Sequence, residues 1–278
     1  MILAFSNGWG LAVALAATAS YAALALASRR RQQQAAKQQP GTTVQGVPRA
    51  LLALAWMLHG AVLALGLLGE PPRFGFGPAL SITVWLVLTV YAIESRLFPR
   101  LLAHWALAAL GGAAVLVALV FPGSTYHAIA SPWLPLHWAL GLASYGLFAA
   151  AVVHGWLMTR AERAMRLPTQ GDSGLPLMTL ERLTFRFVEA GFALLSATLL
   201  VGWVFAEQLY GPKLVGMWNH KTVFSMLAWL TFALLLIGRA RLGWRGGKAV
   251  RVLYVGSGLL LLAYVGSRFV IEVVLGRA

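Results

Sequence analysis

Six histidines are the residues best suited to chemistry in this 278-residue chain: His59, His104, His127, His137, His154 and His220. Carboxylates and lysines are scarce for the length, and charged residues make up only 11%. An imidazole inside apolar surroundings can ligate a metal, relay a proton, or bond a neighbouring polar group. The chain has no cysteine, so disulfide, thiol redox and thiolate–metal chemistry are excluded for it alone, as is covalent haem attachment. Gly171-Asp172-Ser173-Gly174 mimics a serine nucleophile turn but lacks a His/Asp constellation. No phosphate-binding loop, dinucleotide fingerprint or HExxH motif occurs, and no covalent-catalysis constellation is visible. The sequence therefore argues against an enzyme with its own covalent chemistry.

The elements that must carry these histidines are membrane helices. Hydrophobic residues make up 59% of the chain and fall in runs long enough to cross a ~30 Å hydrocarbon core. The runs predict an all-α polytopic bundle of about eight helices, over about 3–27, 48–68, 78–93, 101–121, 134–158, 183–206, 221–238 and 249–273. The third run is short and reads as partly buried. Residues 1–28 read as the first transmembrane helix, 29–47 as a polar Gln-rich cytoplasmic linker, and 48–278 as the main membrane domain. Pro48 suits a first helical turn, while Glu70-Pro71-Pro72 and Phe121-Pro122-Gly123 are stops.

The net charge of +14 sits in short clusters between apolar runs, which argues for the positive-inside rule rather than nucleic acid. With both termini outside, only Arg73, Lys213, Lys221, Arg268 and Arg277 face outward, leaving 17 of the 22 basic residues inside. A seven-helix topology would break that asymmetry in the C-terminal half. No internal repeat is evident, which weighs against an inverted-repeat transporter.

This orientation sorts the histidines by depth. His127, His137 and His220 fall at the outer surface, His104 and His154 near the inner one, and His59 close to the midplane. His137 and His154 are 17 residues apart on one helix, about 25 Å, and cannot share a site. His137 and His220 can. Around them stand Trp133, Trp138, Trp203, Phe205 and Trp218, with Lys213, Lys221 and Arg268 as the outer cations. These aromatics suit an interfacial belt, and equally a flat apolar slot beside an imidazole. A porphyrin needs such a slot, axial imidazoles, and cations for its propionates. Arg186 with Glu189, and Arg268 with Glu272, share helix faces and can neutralise one another. For the second pair, Arg268 is also placed to meet an anionic ligand group.

The stretch Trp218-Asn219-His220-Lys221-Thr222-Val223-Phe224-Ser225, continuing through Ala228-Trp229-Leu230, resembles the tryptophan-rich segment of CcsA/CcmC-type cytochrome c assembly proteins. It is closer still to the YpjD and HemX-like inner-membrane branch. Further matching features are Gly243-Trp244-Arg245-Gly246, the group Tyr264, Gly266, Ser267, Arg268, Val270 and Glu272, and Leu180 to Phe185 with Gly191-Phe192. His59, and His137 ahead of Ser144-Tyr145, sit where these relatives carry histidines.

The resemblance implies haem handling at the outer face of a bacterial inner membrane, with haem and lipid as partners and other biogenesis membrane proteins as candidates. In the larger members two outer histidines flank the tryptophan-rich segment and ligate haem b. His137 fits the first position. No histidine follows His220, and Asn219-His220 stands where Asp-Pro is expected, so His220 becomes the candidate second ligand. The expected haem b site then has His137 and His220 axial, Trp218 and Trp138 as walls, and Lys221 and Arg268 on the propionates. His59 is the candidate for a second, midplane site. Two other functions stay open: an ion or small-solute transporter component, and a scaffold that regulates haem synthesis.

Overall fold

The computed structural model describes residues 8–37, 49–69, 73–97, 104–125, 133–166, 177–210 and 220–276. Its helices are α1 (Gly8–Lys37), α2 (Arg49–Leu68), α3 (Phe76–Leu97), α4 (His104–Val120), α5 (Trp133–Arg166), α6 (Leu177–Val204), the short α7 (Ala206–Tyr210), α8 (His220–Leu242) and α9 (Gly246–Val274). Seven are long and apolar enough to cross a membrane, and α4 adds a shorter apolar helix. The all-α polytopic reading holds with its helix number. The short helix is α4, at 17 residues, rather than the third, because α3 runs on to 22 residues. The third helix is the one most enclosed by its neighbours, as its sequence suggested. α1 continues past the arginine cluster to Lys37, so part of the stretch read as linker is helical. Gln and Ala are adequate helix formers, and they extend a helix already nucleated in the apolar run.

The chain divides into two compact units, Met1–Tyr126 and His127–Ala278. In the first, α1 packs on α2 and α4, and α3 packs on α2 and α4, which closes a four-helix ring. Small residues set the spacing: a Cβ on Gly111 would meet the Tyr21 ring and Leu88, so three helices approach closely there. One end is tied by a two-residue antiparallel pairing, β1 (Arg73–Phe74) with β2 (Ser124–Thr125). Gly123 at φ +78° lets the chain turn against Phe74, where any side chain would strike the backbone.

In the second unit α5 packs on α6 and α9, and α8 packs on α6 and α9, closing another ring. Neighbours run antiparallel. Gly141 faces Thr198 and Gly191 faces Phe148 between α5 and α6. Gly155 faces Val250 between α5 and α9, and Gly256 faces Phe232 between α8 and α9. The core is centred on Phe148 and Phe232, stacked at 3.7 Å between centroids and 6° between planes. Phe185, Val188, Leu195, Leu235 and Leu253 surround them.

Hydroxyls inside the helices turn back on their own turns, as when Thr184 donates to the Leu180 carbonyl and Ser196 to the Phe192 carbonyl. In lipid no water is available, so this local satisfaction is what makes such residues tolerable. The α8–α9 turn is Gly243-Trp244-Arg245-Gly246. Both glycines have positive φ, and the Trp244 ring lies flat on Gly238, where a Cβ would overlap it. Glu181 receives Arg239 at 3.4 Å and Arg245 at 3.8 Å, and the Arg239 guanidinium lies 3.5 Å over the Phe185 ring. These contacts gather the charges at one polar end of the unit.

Candidate functional site

The opposite end of the second unit gathers the start of α5, the end of α6, the start of α8 and the last turns of α9. α5 begins at Trp133, and Pro135 falls within its first turn, where its missing N–H costs nothing. His137 comes one turn later and is half-buried against α6. Its Nδ1 lies 3.1 Å from the carbonyl oxygen of Thr198. A carbonyl only accepts, so Nδ1 carries the proton and the lone pair of the neutral ring is on Nε2. Histidines that ligate metals are typically oriented in this way, by a backbone carbonyl on the far nitrogen. The ring lies over Gly202, whose added Cβ would sit 3.1 Å from His137 Cε1. Beside it, Trp133 and Phe205 stack at 3.9 Å and 9°. The imidazole therefore has a flat aromatic neighbour built from the same two helix ends.

A second group lies on α8 and α9. Lys221 Nζ is 5.7 Å and Arg268 Cζ 5.9 Å from the centroid of the Tyr264 ring. Glu272 is 3.7 Å from Arg268, and the Arg268 Nε is buried with no hydrogen-bond partner among the described residues. Two π-helical turns, Leu262–Gly266 and Val270–Val274, bracket Arg268. Each holds more residues per turn than an α turn, which changes the face on which Tyr264 and Arg268 emerge. Tyr145 of α5 donates its hydroxyl to the Leu260 carbonyl just before the first of them. His220 is the first residue of α8 and is exposed.

The structure thus brings Lys221 and Arg268 together around Tyr264, and sets His137 and Trp138 on the first turns of α5. Trp218, Lys213 and His127 lie outside the described residues. His104 opens α4. His154 is buried and its Nδ1 back-bonds to the Ala150 carbonyl at 2.8 Å, so it sits inside the bundle rather than at a wet surface.

His59 belongs to the first unit and is 0% exposed. Tyr21 Oη is 3.2 Å from its Nδ1 and Ser81 Oγ 2.8 Å from its Nε2. Both ring nitrogens are engaged, and ligation by His59 would require one of these bonds to break. Nearby, Trp85 donates to the Trp56 carbonyl, Trp56 donates to Thr89, and the two indoles stack at 5.0 Å.

The sequence reading missed Thr198, Gly202, Tyr21 and Ser81. A carbonyl acceptor leaves no mark in a sequence. Tyr21 and Ser81 were legible only as hydroxyls in apolar runs.

The family model described as cytochrome C assembly protein matches residues 44–275. The chain is 28% identical over 232 residues to the inner membrane protein YpjD of Escherichia coli, covering 81% of this chain and 84% of that one. It is 25% identical over 258 residues to the cytochrome c biogenesis protein CcsA of a Synechococcus species, covering 80% and 83%. It is 34% identical over 147 residues to an uncharacterized protein of Azospirillum brasilense, covering 52% and 54%. No solved structure matches the chain. A multi-pass inner-membrane chain whose matched region takes in all of α2 to α9 is what these findings describe, and it belongs to the cytochrome c assembly protein family.

Proposed function

We propose that this protein handles haem b at the end of its second unit where α5 and α8 begin, in the service of cytochrome c biogenesis. The observation that carries the reading is His137. Its Nδ1–H is held by the Thr198 carbonyl, which puts the lone pair on Nε2, and a stacked Trp133–Phe205 pair stands beside it. The donor set fits the group. Haem b, when bound, supplies an iron that takes imidazole axially. His137 is one axial candidate, and exposed His220 is the other. Lys221 and Arg268 would hold the propionates, and the buried Arg268 Nε has no hydrogen-bond partner among the described residues. Trp138 and Trp218 would wall the macrocycle. The charge asymmetry supports placing this end, with both termini, on the outer side of the membrane.

The test is an absorption spectrum of protein purified in detergent after expression with haem supplied. A Soret band is expected in the parent. His137→Ala and His220→Ala must each abolish it, and an unchanged spectrum in either defeats the ligand assignment.

A further inference from the structure

Most charged side chains of the second unit lie near its polar ends, but α6 carries two that do not. Arg186 and Glu189 are both exposed, three residues apart, on the face of α6 that no helix of the unit covers. Leu180, Thr184, Val188, Gly191, Leu195 and Thr198 form the opposite, buried face.

Their depth follows from the unit itself. Glu181, with Arg239 and Arg245, marks one polar end, and exposed Trp203 marks the other. Glu189 is eight residues beyond Glu181, about 12 Å along the helix, and fourteen before Trp203, about 21 Å. It therefore lies within the ~30 Å hydrocarbon layer. A short glutamate side chain cannot reach water from there. Intramembrane charges almost always face a bundle interior or pair with an opposite charge. Arg186 and Glu189 do not pair with one another: among the described residues no ion pair joins them.

We infer that this face of α6 is a two-fold interface with a second copy of the chain. Opposite charges three residues apart on one face are self-complementary. A two-fold axis along the membrane normal sets Arg186 of each copy against Glu189 of the other, satisfying both. Ala190 and Ala193 are exposed on the same face, and their small side chains let two helices approach closely enough for the charges to meet. The charge complementarity selects this occupant over a purely apolar helix, which would leave both groups in lipid.

The chain contains no cysteine, so a single introduced one reports without background. In native membrane vesicles treated with a copper–phenanthroline oxidant, Ala190→Cys should give a disulfide-linked dimer. Leu234→Cys, on the exposed face of α8, should stay monomeric. In the Ala190→Cys background, Arg186→Glu or Glu189→Arg alone should lower the crosslinked fraction on the order of tenfold. Co-expressing the two reversals with different tags should restore crosslinking between unlike copies only. If a reversal does not accumulate, Glu189→Gln is read instead. A monomer, a conjugate with another protein, or crosslinking indifferent to the charge changes overturns the inference.

Discussion

His59 and His137 are imidazoles on apolar helices, one in each four-helix unit, and their surroundings differ in one decisive respect. His59 has a side-chain hydroxyl on each ring nitrogen, Tyr21 on one side and Ser81 on the other, and it is fully enclosed. Its bonds join α1, α2 and α3 of the first unit. His137 sits one turn into α5, with a backbone carbonyl on Nδ1 and a stacked aromatic pair beside it. A hydroxyl can donate or accept, so the tautomer of His59 is open. A carbonyl accepts only, so the tautomer of His137 is set. One arrangement ties three helices together, and the other fixes which ring nitrogen carries the proton. Equal residue types thus differ, one with its tautomer open and the other with its tautomer set, through the chemistry of their acceptors.

The comparison can be broken most directly by exchanging the damage. His137→Ala should remove bound haem, seen as loss of the Soret band, while leaving thermal unfolding in detergent nearly unchanged. His59→Ala should do the reverse. Stranding the Tyr21 and Ser81 hydroxyls and leaving a cavity should cost about 3 kcal/mol, read as a lower unfolding temperature, with the Soret band kept in protein that remains folded. If His59→Ala removes the band from folded protein, the division fails.

A subtler change keeps both histidines. Gly202→Val places atoms against His137 Cε1 and should turn the ring off the Thr198 carbonyl. Haem affinity should fall roughly tenfold, about 1.4 kcal/mol, in a titration of detergent-purified protein with haem. Unaltered affinity would show that the ring position over α6 does not matter. The smallest effect expected is from Tyr145→Phe. It removes one hydroxyl bond to the Leu260 carbonyl and should cost about 1 kcal/mol of stability, measured by thermal unfolding, with the parent's haem spectrum retained.

Much of this was legible without coordinates. Apolar runs long enough to cross a bilayer dictate helices, since only a helix or a closed barrel satisfies its backbone in lipid. The Gly243–Gly246 turn was visible as a motif, and its reason appears only with Trp244 lying on Gly238. The grouping into two closed four-helix rings was not legible. It depends on which side chains the glycines meet across helices far apart in the chain, as Gly111 meets Tyr21 and Gly155 meets Val250. The helix limits also moved. α5 and α6 run further toward each other than hydropathy suggested, because Arg160, Arg163 and Glu181 are good helix residues that simply stand outside the apolar runs.

By itself, the sequence determined the membrane class, the helix number, the absence of thiol chemistry and the short set of imidazoles available to a ligand. Those follow from residue type and local spacing. Tertiary structure alone decided that His59 is held between Tyr21 and Ser81, and that His137 carries its proton on Nδ1 under the Thr198 carbonyl. It also decided that Arg268, with a buried Nε, lies together with Lys221 about the Tyr264 ring. The physical reason is that a ring's tautomer and a buried cation's role are set by the neighbours the fold supplies, and those neighbours lie 22 to 61 residues away from each histidine in the chain.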